Sequence, residues 1–358
     1  MRILIDIGHP AHVHLFKNFS WIMQKKGHSV LFTSRDKEVT VQLLRAYKFD
    51  FIVFGRPLKK IVGKIWGLIK FDFLLFKTAL KFKPDILLSA GSMYAAQVAW
   101  ILRKPHVTFE DTGNMEQIRL YKPFSKVILV STAFHKNLGE KQIQYKGYHE
   151  LAYLHPNYYQ PDDTIYATLK LRKGEPFLII RFVSWEASHD MGHAGFTARI
   201  KVDIVNELSK HTEVFISSEC DLSGSLKKFQ IKIPSERMHD ALAFAALYIG
   251  EGATMASECA MLGTPAIYVN SITAGTLEEQ EKYGLIYSFR NSDGVLGKAL
   301  KLIDTPNLRQ IHQERRQKML VDKINVTEFM CWFIENYPES VNIMRTDPDY
   351  QLRFRKEI

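Results

Sequence analysis

Short apolar runs alternate with amphipathic stretches along most of the chain. The runs in the first half are rich in Ile, Leu, Val and Phe, and they predict buried strands at residues 2–7, 29–33, 51–54, 85–89, 106–109 and 127–130. Stretches with helical spacing lie between them, at residues 13–25, 39–47 and 94–102. This regular alternation of strand and helix predicts a parallel sheet with helices on both faces.

The pattern weakens over residues 147–175, where turn-forming residues such as Pro156 and Pro161 interrupt the periodicity. It then restarts, with strands predicted at 177–182, 214–217, 247–249, 266–269 and 285–287 and helices at 198–210, 239–245, 255–262, 294–303 and 308–337. We therefore predict two doubly wound, Rossmann-like α/β domains, at residues 1–158 and 170–337, and a poorly packed polar tail at residues 338–358. Ligands bind beyond the carboxyl ends of parallel strands, so we expect the domains to face a central cleft lined by those loops.

Composition narrows the class of protein. The 358 residues are 46% hydrophobic and 12% aromatic, which excludes a disordered chain. The chain has only three cysteines, and Asp6 interrupts the N-terminal apolar run before it is long enough for a signal peptide. Both features favour a cytoplasmic protein without disulfides. The chain has no run of uncharged apolar residues long enough to span a bilayer. The net charge of +10 is compatible with nucleic acid, an anionic membrane or a phosphorylated substrate as partner.

The strongest chemical signal is a glycine-rich turn between a predicted strand and a predicted helix, at residues 250–265 (GEGATMASECAMLGTP). Small residues allow a ligand to approach closely, and the first free amides of the helix favour a phosphate. Glu258 falls about one turn into the helix, within reach of ribose hydroxyls. The structural alternative is an ordinary glycine turn into a buried helix, capped by Thr254 or Ser257.

Residues 252–265 resemble the second-domain signature of the GT-B superfamily, which contains nucleotide-sugar glycosyltransferases and UDP-N-acetylglucosamine 2-epimerases. Glu258 matches the ribose-binding glutamate of that signature. The first strand-to-helix loop (GHPAHVH, residues 8–14) is similar to the first loop of the lipid-linked peptidoglycan N-acetylglucosaminyltransferases, with His12 at the histidine position. Over residues 1–335 the chain most resembles a little-characterised GT-B-like family of bacteria and archaea. The resemblance implies the GT-B fold and a nucleotide-diphospho-sugar ligand.

A donor site is predicted in the second domain. Arg181 ends the first strand of that domain, where its guanidinium suits a bidentate contact with a diphosphate, although a lone arginine is more often a solvated charge. Gln280 lies in a stretch that resembles the acidic-Gln pair with which such transferases hold the donor sugar. The predicted nucleotide-sugar-binding residues are Arg181, Ser184, His239, Gly252, Ala253, Thr254, Met255, Ser257, Glu258 and Gln280. The loop residues His189, Asp190 and His193 either contact the donor or form a turn.

The first domain carries the candidate catalytic residues. His12 can take a proton from a sugar hydroxyl or bind a phosphate, because imidazole titrates near neutral pH. Glu110 and Asp111 follow a predicted strand and are candidates for a general base, or for a simple helix cap. Three histidines in the first loop suggest a metal, but no acidic or cysteine cluster lies nearby in sequence. We therefore predict no metal site and no cofactor.

Two stretches depart from the epimerase pattern. Residues 91–93 (GSM) stand where epimerases place a catalytic aspartate, and residues 182–186 (FVSWE) stand where they have a loop rich in His and Arg. Glu110 and Glu116 can nevertheless be laid over glutamates of an epimerase loop. These departures favour transfer over epimerisation.

The segment that begins at Leu58 and ends at Lys83 (residues 58–83) contains seven lysines and five aromatic residues, against a single acid, Asp72. Helical spacing places most lysines on one side and most large apolar residues on the other. One interpretation is a domain helix packed on its sheet with solvated lysines. The other is a surface that contacts anionic lipid. Nucleic acid is disfavoured, because no nucleic-acid motif accompanies the segment.

Together these observations predict a metal-independent glycosyltransferase. We expect it to transfer a sugar from a nucleotide-diphospho-sugar, most simply a UDP-sugar, to a glycan or lipid-linked acceptor in surface polysaccharide synthesis. The cytoplasm is the expected location, with peripheral attachment to the inner face of the cell membrane if residues 58–83 bind lipid. A UDP-sugar 2-epimerase-like enzyme and a non-catalytic nucleotide-sugar-binding protein are the alternatives.

Overall fold

The buried aliphatic runs form the strands of two separate parallel sheets. The structure is a computed structural model that describes residues 1–37, 39–56, 61–183, 196–218, 222 and 224–355. The first unit consists of Met1–Tyr153 and the C-terminal residues from Lys323 onward, and the second consists of Leu154–Asp322.

The first unit contains a seven-stranded sheet whose strands are all parallel. Its strands are β1 (Arg2–Ile7), β2 (Ser29–Ser34), β3 (Phe51–Val53), β4 (Ile86–Ala90), β5 (His106–Glu110), β6 (Val127–Ser131) and β7 (Gln142–Tyr145). The helices that follow them are α1 (Pro10–Lys25), α2 (Thr40–Ala46), α3 (Ile61–Phe82), α4 (Met93–Ile101), α5 (Met115–Tyr121) and α6 (Leu151–Leu154).

The strand order in this sheet is β3-β2-β1-β4-β5-β6-β7. The chain first moves outward from β1 and then returns to its other side, so Ile3 pairs with Val30 on one side and with Ile86 on the other. The order therefore reverses between β1 and β4. In a doubly wound sheet, ligands bind beyond the carboxyl ends of the strands at such a reversal.

The second unit repeats this plan with five parallel strands in the order β12-β11-β10-β8-β9. These strands are β8 (Phe177–Phe182), β9 (Glu213–Ser218), β10 (Leu247–Gly250), β11 (Ala266–Val269) and β12 (Ile286–Phe289). Its helices are α7 (Ile165–Thr168), α8 (Ala198–Leu208), α9 (Met238–Phe244), α10 (Ala253–Leu262), α11 (Gly275–Lys282), α12 (Val295–Ile303) and α13 (Leu308–Asp322). Here the order reverses between β8 and β10, which places Arg181 and the Gly250 turn at the reversal.

The predicted fold class of two doubly wound α/β domains is confirmed, and each predicted strand is present. One strand, β7, has no counterpart in the prediction. Its sequence, Gln-Ile-Gln-Tyr, is four residues long and alternates polar with apolar, as suits a sheet edge, whereas the prediction rests on continuous apolar runs.

The C-terminal part of the chain differs from the prediction. The long helix expected over 308–337 ends with α13, and a new helix, α14 (Val326–Glu335), packs against α1 in the first unit. Asn325 separates the two helices, because its side chain accepts a hydrogen bond from the Glu328 amide and so caps α14. The predicted end of the second domain at residue 337 is therefore wrong.

The tail predicted to be poorly packed is also ordered against the first unit. It forms α15 (Glu339–Thr346) and a 3₁₀ segment at Pro348–Phe354. The Gln351 side chain accepts a hydrogen bond from the Lys146 amide at 2.7 Å, and the Trp332 and Phe354 rings lie 5.5 Å apart. The polar composition of the tail hid a narrow apolar stripe that includes Val341, Met344 and Phe354.

We expect Met344→Ala to lower the free energy of unfolding of the first unit by about 2–3 kcal/mol, because it leaves a cavity in this packed tail. The side chain of Met344 is only 3% exposed. Urea unfolding measures the change, with Val321→Ala, at an exposed position of α13, as the control. An unchanged unfolding midpoint for Met344→Ala would contradict the observed packing of the tail.

Candidate functional site

Arg181 stands at the carboxyl end of β8, where the strand order of the second unit reverses. Its backbone pairs with Gly250 of β10 on one side and with Ser217 of β9 on the other. The guanidinium Nη1 donates a hydrogen bond to Ser217 Oγ at 2.8 Å, which fixes the direction of a half-buried side chain. The structure thus places this predicted residue at the edge where a ligand is expected.

The turn from β10 into α10 is built for close approach. A Cβ on Gly250 would lie 2.2 Å from the Tyr248 hydroxyl and 2.9 Å from Arg181 Cβ, so only glycine fits there. A Cβ on Gly252 would meet Arg181 Cγ at 3.9 Å. The Arg181 side chain therefore runs directly beside the glycine turn.

The N-terminus of α10 lacks a side-chain cap. Its N-cap residue is Gly252, which has no side chain to accept from the first amides of the helix. Residues 253–255 of the first turn are only partly buried, and the first amides of a helix have no partner within the helix. Free amides and the positive end of a helix dipole favour an anion, and Arg181 adds a full positive charge beside them.

Glu251, inside the same turn, was not predicted as a site residue. Its buried carboxylate accepts hydrogen bonds from the amides of Val183 at 3.1 Å and Phe196 at 2.7 Å. These two residues flank residues 184–195. Glu251 thus bonds the last described residue after β8 and the first described residue before α8, and an acid between two glycines at a strand end was the available signal.

His239 and Glu258, which were both predicted to bind the nucleotide-sugar, lie next to each other in the structure. His239 Nε2 and Glu258 Oε1 lie 3.0 Å apart, and both side chains are buried. The Tyr159 ring packs edge-on against His239 at 6.2 Å between centroids. The pair links α9 to α10, so Glu258 reaches a ribose only if it shares its carboxylate between His239 and the ligand.

Gln280 and Ser257, which were also predicted to bind the nucleotide-sugar, bond each other instead. The Gln280 side chain donates from Nε2 to Ser257 Oγ at 2.8 Å and is fully buried between α11 and α10. A contact between Gln280 and a donor sugar is therefore not supported by its position. Ser184, His189, Asp190 and His193 lie outside the described residues.

In the first unit, His12 lies in the first turn of α1, just after the short loop that follows β1. The Gly8 amide donates to His12 Nδ1 at 3.3 Å, and the His9 ring lies 5.9 Å away. Burial, followed by the nearby His9, lowers the pKa of His12 to about 3. His12 is therefore neutral at pH 7. Because Nδ1 accepts from Gly8, the proton sits on Nε2, and the ring as placed is a hydrogen-bond donor.

Asp111 follows β5 and pairs with His149, a residue that was not predicted. Asp111 Oδ2 lies 2.9 Å from His149 Nδ1, and the Asp111 side chain keeps 42% of its surface exposed. Burial alone would raise the pKa of Asp111, but the attraction and hydrogen bond of His149 outweigh it and lower the pKa to about 2. Burial opposes protonation of His149, yet Asp111 raises the pKa of His149 above its ordinary value.

His149 is itself enclosed. Its ring packs edge-on against Phe109 at 5.9 Å, and its Nε2 is buried without a hydrogen-bond partner among the described residues. His149 follows β7, so the carboxyl ends of β5 and β7 bring the two side chains together. The result is an exposed carboxylate held in place by a buried imidazole.

Glu110 has a different place from its neighbour. Its buried carboxylate accepts hydrogen bonds from Thr112 Oγ1 at 2.7 Å, the Gly113 amide at 2.9 Å and the Tyr121 hydroxyl at 2.6 Å. These bonds shape the turn between β5 and α5. Its contacts favour a structural role over the predicted catalytic one.

The loop after β4, where an epimerase would carry an aspartate, is also structural. Ser92 caps α4 and donates to Asp6 Oδ2 at 2.5 Å. Asp6 is buried at the end of β1 and forms an ion pair with Arg35, with both carboxylate oxygens within 2.8 Å of one guanidinium nitrogen. The carboxylate at this position is therefore occupied by internal hydrogen bonds. Across the described ranges, no cluster of His, Cys, Asp and Glu could hold a metal ion.

The two doubly wound parallel sheets define a protein with the GT-B fold. Similar solved structures include UDP-GlcNAc 2-epimerase from Neisseria meningitidis bound to UDP-GlcNAc, at 12% identity and a TM-score of 0.63, over 87% of this chain and 94% of that one. Another is the Streptomyces sp. SF2575 glycosyltransferase SsfS6 complexed with thymidine diphosphate, at 13% identity and a TM-score of 0.60, over 92% and 99% of the chains. A third is the spinosyn forosaminyltransferase SpnP, at 13% identity and a TM-score of 0.64, over 96% and 99%.

The chain belongs to the family described as Protein of unknown function (DUF354), whose model matches residues 1–338. No curated protein matches the sequence. The predicted resemblance to GT-B proteins is confirmed at the level of the fold, because the TM-scores of 0.60–0.64 show a shared fold at only 12–13% identity.

Proposed function

We propose that this protein is a glycosyltransferase that takes its sugar from a nucleotide-diphospho-sugar, most simply a UDP-sugar. The observation that carries the proposal is the uncapped N-terminus of α10 beside Arg181. The helix amides and dipole contribute up to about 2 kcal/mol toward an anion in a partly buried site, and an arginine adds charge-assisted hydrogen bonds. Two phosphates in a row match this combination better than a single carboxylate does.

The same groups suit the leaving diphosphate. When the bond between the anomeric carbon and the diphosphate oxygen breaks, negative charge develops on that oxygen. Arg181 and the amides of residues 253–255 would stabilise this charge without a divalent ion, which supports a metal-independent reaction. Glu258 would hold the ribose while it stays paired with His239.

The first unit would supply the proton acceptor. A hydroxyl oxygen of the acceptor attacks the anomeric carbon, and its proton must pass to a base as the new bond forms. Asp111 fits this role better than His12, because the Asp111 carboxylate is partly exposed and ionised, whereas His12 Nδ1 already accepts the Gly8 amide. The low pKa of Asp111 weakens it as a base but ensures that it is unprotonated at pH 7. His12 Nε2 would donate a hydrogen bond to the substrate.

The acceptor that we propose is a glycan or a lipid-linked sugar of a surface polysaccharide. The solved structures that share the fold include a UDP-GlcNAc 2-epimerase, so epimerisation is the competing reaction. The loop after β4 argues against it, because Ser92 in that loop is bonded to Asp6 of β1.

Thermal denaturation with a panel of nucleotides tests the proposal. UDP and UDP-N-acetylglucosamine should raise the melting temperature, since a ligand at about 100 times its Kd adds about 2.7 kcal/mol to the free energy of unfolding. ADP and GDP are the matched controls for the base. Incubation with UDP-N-acetylglucosamine alone should then release UDP and free N-acetylglucosamine slowly, with water as the acceptor. A C2 epimer formed without release of UDP would establish the alternative enzyme, stabilisation without turnover would indicate a binding protein, and no stabilisation by any nucleotide would overturn the proposal.

A further inference from the structure

Large apolar side chains are exposed on one side of the first unit. Of the ten that are exposed among the described residues, six belong to α3, α4 and α5: Ile69, Phe73, Leu80, Trp100, Ile101 and Leu120. We call these six residues the α3–α5 apolar face. Single exposed apolar residues are common, but a cluster of this kind marks a contact surface.

Packing within the unit does not explain this exposure. The inner side of α3 is formed by Phe71, Leu75 and Ala79, which are buried in the core against β4 and α4. Phe73 points away from them, with 63% of its surface exposed. The helix thus has a complete core face and a second, outward apolar set.

The three helices lie side by side on one face of the sheet. They connect β3 to β4, β4 to β5 and β5 to β6, and right-handed crossovers in one direction along a sheet place successive helices on the same face. α4 contacts both α3 and α5. Because all three run antiparallel to the strands, their C-terminal ends, with Leu80, Trp100 and Leu120, lie at one edge.

Positive charge surrounds these residues. Residues 61–104 contain seven Lys and Arg against two acids, Asp72 and Asp85. Lys70, Lys77 and Lys81 are exposed on α3 together with Phe73. Lysines and large apolar residues therefore share the outward side of α3 in its described part, instead of separating onto opposite sides as predicted. Burial, followed by the charge of Asp6, raises the pKa of Asp72 to about 7, so Asp72 offsets less of the positive charge than an ordinary aspartate does.

We propose that the α3–α5 apolar face and its lysines bind the surface of an anionic phospholipid bilayer. Aromatic and aliphatic side chains would enter the boundary between headgroups and acyl chains, and lysines would reach the lipid phosphates. No described helix is long and apolar enough to cross a bilayer, so the contact is with the surface.

Two other occupants fit less well. In a two-fold contact between copies of this chain, the same patch faces itself, which would bring the lysines of α3 against like charges. Nucleic acid would use the charge, but four of the six apolar residues are aliphatic and offer no ring on which a base stacks.

Flotation with lipid vesicles tests the inference on the full-length protein. The wild type should float with vesicles of phosphatidylcholine and phosphatidylglycerol in equal parts, and it should stay behind with phosphatidylcholine alone. Each lysine near an anionic surface contributes about 1 kcal/mol, or about fivefold in the partition coefficient. Lys77→Glu with Lys81→Glu should therefore weaken binding by at least about 25-fold, and high salt should weaken wild-type binding.

A second double variant, Phe73→Ser with Trp100→Ser, should lose flotation while its circular dichroism melting curve stays like that of the wild type. The matched control is Lys318→Glu with Val321→Ser, an exposed lysine and apolar residue three positions apart on α13, which should float like the wild type. Equal flotation of all variants, or none by the wild type, would overturn the inference. So would a dimer in light scattering that the face variants dissolve, or RNA binding lost with the lysines. No outcome depends on the nucleotide, so this test is independent of the proposed transferase activity.

Discussion

Replacing Asp111 with Asn should lower kcat for the transfer of N-acetylglucosamine from UDP-N-acetylglucosamine to water, which releases UDP, by about 10²–10⁴-fold, the usual contribution of a positioned general base. The amide keeps the size of the side chain but accepts no proton at pH 7. Nucleotide binding belongs to the second unit in our proposal, so KM and the thermal shift by UDP should change little. Steady-state kinetics with a UDP-detecting assay measures both values.

Two controls separate catalysis from folding. Glu116→Gln, at an exposed acid in the first turn of α5, five residues after Asp111, should keep wild-type kcat. Proton NMR should show that the pKa of His149 falls in Asp111→Asn, because the attraction that raised it is gone and burial remains. A kcat within a few-fold of the wild type, with the pKa of His149 lowered as expected, would remove Asp111 from the reaction.

The same pair has a defined effect of pH on stability. The pKa of His149 is raised and that of Asp111 is lowered in the folded state, so the Asp111–His149 pair stabilises the fold fully between the ordinary aspartate pKa of 3.8 and the ordinary histidine pKa of 6.5. This stabilisation is lost as the pH rises through the folded-state pKa. Asp111→Asn should therefore flatten the fall in stability across that window.

Continuous apolar runs made the central strands predictable, and with them the loops at their carboxyl ends. That is why the sequence could place Arg181 and the Gly250 turn at the carboxyl ends of their strands, where a ligand is expected. The pairing of Asp111 with His149 could not be found this way. It depends on β7, a short edge strand with alternating polarity, which carries His149 back to the loop after β5.

Side-chain direction was the second limit. A helix position does not say whether a polar side chain faces a ligand or a neighbouring helix. Gln280 and Ser257, which were predicted to bind the nucleotide-sugar, bond each other between two helices, and Glu110, which was predicted as a candidate general base, bonds its own turn. The prediction of a poorly packed tail was wrong for a related reason. Its few apolar residues are separated by polar ones in the sequence, yet they fall on one side of α15.

Arg181→Ala should weaken UDP binding by at least about 100-fold. The guanidinium would form two charge-assisted hydrogen bonds with the diphosphate, and each such bond contributes about 1.5–3 kcal/mol. Arg181→Lys keeps the charge but loses the planar fork, so its affinity should lie between those of alanine and wild type. Isothermal titration calorimetry with UDP measures all three values.

The structural part of this effect can be measured separately. Arg181 also bonds Ser217, so Ser217→Ala removes that contact and leaves the charge in place. Arg199→Ala, at an arginine on α8 whose side chain is 93% exposed, controls for the loss of any positive charge from the second unit. We expect both controls to bind UDP within a few-fold of the wild type. If Ser217→Ala weakens binding as much as Arg181→Ala, then Arg181 acts through its bond to Ser217 of β9 and does not contact the diphosphate. If none of the variants changes the affinity, the phosphates do not bind at the N-terminus of α10, and the donor site must be sought elsewhere.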